Sequence, residues 1–260
     1  MQCSAAAAQH RYMNTSLTPA DAASAVLRSP TLPAGADERF VGFGVLGLPF
    51  ASGHYLALRC IPGASFAPGY RSVWHRDAAG VWTFYATNSG ERSCARYFSA
   101  ATAQDAVQCA IDVAWPTPWS LYVGIAGVLE WHLDLGCTAS TGLMSGVGSR
   151  LPAQVWTNRL VLGALGRAAG PMLRAGRVRL AGRVPNGQRF MIAPKRFWAV
   201  TRSHAVWRGE DLGEVRPLPE QARLADFWGP QRGFFVTGGG RLEAFNPARH
   251  RTVQRTIAIG

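Results

Sequence analysis

The spacing of apolar and polar residues changes twice along the chain, from helical to alternating and, past the midpoint, briefly back to helical. Near the N-terminus, Thr18 can cap a helix that begins at Pro19, and the Ser29-Pro30 pair ends that helix by Arg28. From Arg39 onward, short β-rich runs recur with turn signals between them. This pattern predicts a mainly β protein with a short N-terminal helix.

The alternating runs predict strands at residues 40–48, 54–59, 70–76, 81–86, 94–98, 106–114, 120–125 and 128–135. The strongest prediction is the hairpin that joins residues 70–76 to residues 81–86. Its connection, Asp77-Ala78-Ala79-Gly80, brackets a short turn with the residue types that turns prefer. Residues 115–118, with two prolines, are expected to connect two strands.

Residues 152–169 form the best helical pattern, with Pro152 in the first turn and Gly170-Pro171 closing it. A second hairpin is predicted from residues 177–184 and 188–193, because Asn186-Gly187 supplies the positive φ angles of a tight turn. Weaker strands follow at residues 197–202, 205–208, 233–236 and 241–245. We therefore expect an antiparallel meander that forms one or two lipocalin-like barrels, or a sandwich, with one apolar connecting helix. The expected division is an N-terminal extension (1–38), a first β unit (39–150), the connecting helix (151–175) and a second β unit (176–260).

The composition supports a folded protein with a sizeable core, since hydrophobic residues make up 48% and charged residues 16% of the 260 positions. Five widely spaced cysteines form no CxxC pair, which favours reduced thiols. The first residues lack the basic and apolar regions of a signal peptide, and the longest uncharged stretch, 40–58, is too rich in glycine for a membrane helix. The expected location is the cytoplasm.

Positive charge is concentrated in one segment. No Asp or Glu occurs between Leu135 and Gly209, and this interval contains twelve basic residues, which equal the whole net charge of +12. They are Arg150, Arg159, Arg167, Arg174, Arg177, Arg179, Arg183, Arg189, Lys195, Arg196, Arg202 and Arg208. The segment could dock on an anionic surface, a nucleic acid or an acidic partner, or it could be a solvated basic face.

One strand places three ionisable residues on the same face. Alternation from residue 129 to 135 puts Glu130, His132 and Asp134 together, opposite Trp131 and its apolar neighbours. Such a group could transfer protons, and Asp77 is a further candidate acid or base. The same pattern is also typical of the solvent face of an amphipathic strand.

The first predicted hairpin is rich in aromatic residues that could line a ligand cavity. Trp74, Trp82, Phe84 and Tyr85 are the candidates, supported by Trp131, with His75 and Arg76 presenting polar groups to a ligand. Cross-strand aromatic pairing in a core is the alternative interpretation.

A reactive thiol is a further candidate. On a strand, Arg92-x-Cys94-x-Arg96 would place two guanidinium groups beside Cys94 and lower the pKa of its thiol; a buried, inert cysteine is the alternative. The chain contains no Walker A loop, GxSxG elbow, HExxH motif or zinc-finger spacing.

The string Gly69-Tyr70…Trp74-His75-Arg76-Asp77…Gly80-Val81-Trp82-Thr83-Phe84-Tyr85, followed by Cys94-Ala95-Arg96-Tyr97, resembles the lipocalin-like proteins grouped with hydroxyneurosporene synthase and AttH. This resemblance extends over residues 39–245 and implies calycin-like β units around an apolar cavity. Members of that group bind or convert hydrophobic molecules, some by hydration or cyclisation. No catalytic acid of the group can be matched to a residue of this chain.

Three hypotheses follow. The first is a lipocalin-like protein that binds a small hydrophobic molecule in a β cavity. The second is a hydratase, isomerase or cyclase that acts in the same cavity with no cofactor or metal, using the acidic residues and His132 above. The third is docking through residues 150–208. Whether the protein is an enzyme stays open at this point.

Overall fold

A computed structural model describes residues 17–102, 106–251 and 256–258. Residues 1–16 of the predicted N-terminal extension lie outside the described residues. The helices of the described part are α1 (Pro19–Arg28), α2 (Ala95–Phe98), α3 (Ala139–Arg150) and α4 (Arg159–Leu173). Short 3₁₀ turns occupy Gly90–Arg92, Ser99–Ala101 and Ala153–Thr157.

The strands in the first half of the chain are β1 (Glu38–Val45), β2 (Leu48–Pro49), β3 (Tyr55–Ala64), β4 (Tyr70–Arg76), β5 (Trp82–Ala86), β6 (Ala106–Gln108), β7 (Asp112–Thr117), β8 (Ser120–Ile125) and β9 (Leu129–Gly136). Those in the second half are β10 (Ala181–Arg183), β11 (Arg189–Trp207), β12 (Glu210–Asp211), β13 (Arg223–Leu224), β14 (Phe227–Trp228), β15 (Phe234–Leu242) and β16 (Thr256–Ala258).

All of these strands except β13 and β14 belong to one curled sheet that forms a half-barrel, which confirms the predicted mainly β class. The strand order is β16-β6-β5-β4-β3-β1-β15-β11-β9-β8-β7. Strand β15 therefore joins two meanders, β1–β3–β4–β5 on one side and β11–β9–β8–β7 on the other. The sheet is not antiparallel throughout, since β6 pairs in parallel with both β5 and β16.

The strongest local signals are confirmed. Helix α1 begins at Pro19, and the Thr18 hydroxyl accepts a hydrogen bond from the Asp21 amide. The β4–β5 hairpin forms with Arg76 opposite Trp82, and the Asp77 carboxylate accepts a 2.8 Å hydrogen bond from the Val81 amide. In both places a side chain satisfies the backbone within a few residues, so no distant contact is needed.

The strand predicted at residues 94–98 is wrong, because Ala95–Phe98 form α2 and Cys94 lies in the turn before it. The Ser93 hydroxyl accepts a hydrogen bond from the Ala95 amide, and Tyr97 and Phe98 are buried against the sheet. Burial of the two aromatic side chains outweighs their local preference for a strand.

The helical segment differs from the prediction in two ways. Helix α3 was not predicted, because its glycine and serine residues obscure the helical pattern of apolar positions. Thr138 and Thr141 nevertheless form a reciprocal capping box at its start. Helix α4 begins after Asn158, whose side chain accepts from the amides of Leu160 and Val161, rather than at Pro152. It continues past Pro171 to Leu173.

Strand β11 is continuous over 19 residues, where the prediction placed three separate strands with breaks between them. The register shifts between Pro194 and Arg196, so a bulge absorbs the proline without ending the strand. Strand β15 likewise runs through Gly238-Gly239-Gly240, which the prediction placed between two strands.

Both faces of the central sheet are covered. Along β3, Leu56 and Leu58 contribute to one hydrophobic cluster, while Tyr55 and Ala57 contribute to another on the opposite face. Period-two alternation therefore separates two cores. The sheet takes strands from both predicted β units, and the proposed division of the chain stays a prediction.

Candidate functional site

An apolar cavity of about 180 Å³ lies on the face of the sheet that carries Tyr55 and Ala57. Its wall is formed by β1, β3, β4, β11 and β15, by α2, and by the inner face of α4. An engineered cavity of about 150 Å³ holds benzene, so this one accommodates a molecule of about one aromatic ring with a short substituent.

Glycines explain why the sheet leaves this space. Gly42 and Gly44 of β1, and Gly238 and Gly239 of β15, line the cavity with backbone alone. A Cβ at Gly44 would lie 2.0 Å from the Leu58 carbonyl oxygen, so the strands pack too closely to admit a side chain. In β15, a Cβ at Gly238 would lie 2.4 Å from the Ala193 carbonyl oxygen and one at Gly239 2.6 Å from that of Phe40, so these glycines also allow close strand packing.

Arg59 is the notable polar residue of the cavity wall. In the apolar run of β3, alternation places it on the cavity face with Ala57 and Ile61. Its guanidinium carbon lies 4.6 Å from the centre of the Trp74 ring, a cation–π distance. Arg59 is not among the predicted site residues, and its signal in the sequence is that it is the single charged residue of the segment 55–61.

Backbone carbonyls hold the Arg59 guanidinium in place. Nη1 donates to the carbonyl oxygens of Val45 at 2.6 Å and Leu58 at 2.9 Å, and Nη2 donates to that of Leu46 at 3.0 Å. These contacts orient the group but carry no negative charge. No carboxylate among the described residues lies within ion-pairing distance of Arg59.

The electrostatics of the cavity are therefore unbalanced. Burial lowers the pKa of Arg59, and the groups that oppose this effect are the thiols and phenols of Cys94, Tyr55, Tyr70 and Cys60, all of which are neutral in their ordinary form. The other arginine of the cavity wall, Arg179, pairs with Asp226. A partly buried charge without a counter-ion is incompletely solvated, so an anion beside Arg59 would be stabilised.

Tyr70 and Cys94 form a second polar group in the wall. The phenol oxygen lies 3.2 Å from the thiol sulfur, and both residues are buried. Burial raises the pKa of Cys94, with the Tyr70 hydrogen bond opposing the shift, and burial also raises the pKa of Tyr70. Of the two interpretations of Cys94, the buried, inert thiol therefore describes the structure, and Arg96 pairs with Glu38 at 2.7 Å instead of flanking the thiol.

Trp74 is the one aromatic residue of the predicted ligand set that lines the cavity in the described structure. Its indole Nε1 is buried and has no hydrogen-bond partner among the described residues. The same indole group opposes the rise in the pKa of the nearby Cys94 thiol. A ligand acceptor could therefore use this N–H group.

The remaining predicted ligand residues lie elsewhere. Tyr85 and Trp131 belong to the core on the opposite face of the sheet, and the Trp131 indole donates to the Ser203 hydroxyl at 2.9 Å. Phe84 packs against Trp74 from within the core, and Trp82 and Arg76 line a separate open groove beside the hairpin. Phe84, Tyr85 and Trp131 are therefore packed in the cores, and contact of any of these five residues with a ligand stays a prediction.

His75 lies on the side of β4 opposite Trp74. Its ring stacks on Trp207 with centroids 3.7 Å apart, and its Nε2 lies 3.0 Å from Nδ1 of His54. The pKa of His75 is lowered to about 3, mainly by burial and in smaller part by the positive charges of His54 and Arg208, while Asp77 opposes the shift.

The four predicted acid–base residues do not contact the cavity. Glu130 and His132 are exposed on β9, His132 beside Tyr122, and the Asp134 carboxylate accepts from the Ser120 hydroxyl at 3.0 Å. Asp77 closes the hairpin turn. Their catalytic role stays a prediction, without a shared site to support it.

Within the described residues, no group of His, Cys, Asp and Glu has an arrangement that could hold a metal ion. A search of the same residues finds no helix with the length and hydropathy needed to cross a membrane.

Comparisons with known proteins extend the fold description only slightly. No protein-family model and no curated protein matches the chain, so the resemblance to the hydroxyneurosporene synthase group stays a prediction. Among solved structures, an acetoacetate decarboxylase from Legionella pneumophila is 8% identical, with a TM-score of 0.38 over 86% of this chain and 89% of that chain. A second acetoacetate decarboxylase structure is 10% identical, with a TM-score of 0.40 over 87% of this chain and 92% of that chain. Similarity at this level assigns neither a family nor an activity.

Proposed function

We propose that this protein binds a small molecule with an apolar body and an anionic group in the cavity beneath α4. The observation that carries the proposal is Arg59, a half-buried guanidinium in the cavity wall without a carboxylate partner in the described structure. The apolar wall would receive the body of the ligand, and Arg59 would receive its charge. The cavity volume of about 180 Å³ favours a compact ring over a long acyl chain.

The contacts of Arg59 explain why a guanidinium suits this role. Three carbonyl oxygens occupy three of its five donors and fix the plane of the group. The N–H donors of Arg59 that are not used in these bonds can bind an oxyanion without a change in the side-chain conformation. The Trp74 indole, 4.6 Å from the guanidinium carbon, provides a flat apolar surface for a ring.

Binding of phenylacetate tests the proposal, with its neutral methyl ester as the matched probe. Isothermal titration calorimetry should show that the acid binds about tenfold or more tightly, since a charge-assisted hydrogen bond contributes about 1.5–3 kcal/mol. Arg59→Met should remove this preference, whereas Arg59→Lys should retain part of it. Arg71→Met is the control, because Arg71 does not line the cavity and its guanidinium bonds the Ile111 carbonyl instead.

Failure of both probes to bind would contradict a ligand cavity of this size. Equal binding of acid and ester would keep the cavity and remove the role of Arg59. Native mass spectrometry of protein purified from its own host provides an independent measurement, since a retained small anion would identify the ligand class directly.

A further inference from the structure

The outer face of α4 has an unusual composition for a helix surface in water. Leu160 is 85% exposed, Met172 41% and Val161 37%. At a helical period these residues share one side with three further exposed apolar positions. The apolar members of this side, named here the α4 outer face, are Leu160, Val161, Ala164, Ala168, Pro171 and Met172.

The opposite side of α4 is buried and already has its partner. Leu162, Gly166, Ala169 and Leu173 face the protein, and the last two line the cavity. A helix packed on one side ordinarily carries polar residues on the other. Packing among the described residues therefore does not account for the apolar composition of the α4 outer face.

Charges around this face have a single sign. Arg167 lies on the exposed side within the apolar face, and Arg159 and Arg174 stand at the two ends of the helix. None of the three forms an ion pair with a carboxylate of the described residues. The sequence has no Asp or Glu from Gly136 to Gly209 to neutralise them.

Arg159 gives no evident benefit to the helix that carries it. It occupies the first helical position, where the helix dipole is positive and a cation is unfavourable. The stability of α4 therefore does not account for this charge.

We propose that the α4 outer face docks this protein on a bilayer that contains anionic lipid, with the helix lying in the plane of the interface. Exposed Leu160 and its apolar neighbours would enter the boundary of the acyl region, and the arginines would bind lipid phosphates and carboxylates. The positive charge of α4 favours an anionic bilayer over a second copy of this chain, because two such faces in contact would place arginines against arginines. A nucleic acid would not use the apolar residues.

Docking through the α4 outer face is a property separate from ligand binding, and it would fix the orientation of the cavity relative to the bilayer. Because Ala169 and Leu173 of α4 line the cavity, the helix is the wall between the ligand space and the docked surface. The helix is folded before it binds, so docking incurs no cost of ordering the segment.

Co-sedimentation with vesicles tests the proposal. The wild-type chain should bind phosphatidylcholine vesicles containing about 30% phosphatidylserine at least tenfold more tightly than vesicles of phosphatidylcholine alone. Raising NaCl from about 0.05 M to about 0.5 M should remove most of the difference, since the Debye length shortens about threefold. Arg159→Gln should weaken binding about fivefold and Leu160→Ser about tenfold.

Helix α1 offers a matched control, because Leu27 is 53% exposed and stands beside Arg28 near the end of that helix. The double variant L27S/R28Q should bind vesicles as the wild type does, whereas R159Q/L160S should bind about fiftyfold more weakly. Circular dichroism should show that both double variants stay folded, because all four positions lie on the surface. Phenylacetate binding by R159Q/L160S should be unchanged, which separates docking from the function of the cavity.

Three outcomes would overturn the proposal. They are equal binding to vesicles with and without phosphatidylserine, unchanged binding by R159Q/L160S, and a wild-type dimer that R159Q/L160S dissociates. The last result would assign the α4 outer face to a second copy of this chain.

Discussion

His75 makes the stability of this protein depend on pH in the mildly acidic range. The imidazole is 5% exposed, stacks on Trp207 and shares a hydrogen bond with His54. Burial lowers its pKa from 6.5 to about 3, so the folded protein holds His75 neutral across the mildly acidic range. The pKa of His54 is lowered as well, mainly by burial, with Asp77 and Glu210 opposing the shift.

The sign of the effect follows from proton binding. Between about pH 3 and pH 6.5 the unfolded chain binds a proton at residue 75 that the folded chain excludes. Stability is therefore full above about pH 6.5 and is lost as the pH falls. Each pH unit within the window costs up to about 1.4 kcal/mol, so acidification from about pH 7 to about pH 5 should cost about 2 kcal/mol through His75 alone.

Urea denaturation followed by tryptophan fluorescence at these two pH values measures the loss. His75→Phe keeps a ring against Trp207 but cannot titrate, so the free energy of unfolding should change by less than about 0.7 kcal/mol between them. His132→Gln is the control, because His132 is exposed on β9 and should leave the wild-type loss intact. An equal loss in wild type and His75→Phe would refute the assignment to His75.

Two further outcomes are expected. Gly44→Ala should lower the free energy of unfolding, measured in urea, by about 3 kcal/mol or more, because the new Cβ would lie 2.0 Å from the fixed Leu58 carbonyl oxygen. Gly142→Ala is the control: the space around this helical position is open, so the substitution should be neutral or stabilising by up to about 1 kcal/mol. Iodoacetamide labelling read by mass spectrometry should modify exposed Cys137 readily and buried Cys94 only after unfolding. Labelling of both thiols at similar rates would contradict the enclosed position of Cys94.

The elements that the sequence predicted correctly are those whose signals are local. Thr18 and Pro19 set the start of α1, and Asp77 with Gly80 sets the turn of the β4–β5 hairpin. Strand β8 has the predicted bounds, Ser120–Ile125. Each of these signals acts within a few residues, so it works without knowledge of the rest of the fold.

The wrong predictions share a different cause. Residues 94–98 contain β-favouring aromatics but form a helix, because the sheet buries Tyr97 and Phe98 in that geometry. Pro194 resembles a strand breaker, yet its place at a bulge lets β11 continue with hydrogen-bonded partners on both sides. In both cases distant strands supply the energy that overrides the local preference.

The candidate site shows the same division. Amino-acid order by itself determined the mainly β class, the aromatic hairpin and the acid-free basic interval, because composition and short-range periodicity encode them. Only the tertiary structure decided that Trp74 lines the cavity while Tyr85 and Trp131 pack on the opposite face. It also decided that Arg59 is enclosed beside Trp74, because that placement depends on which strands pair and which face of the sheet each one buries.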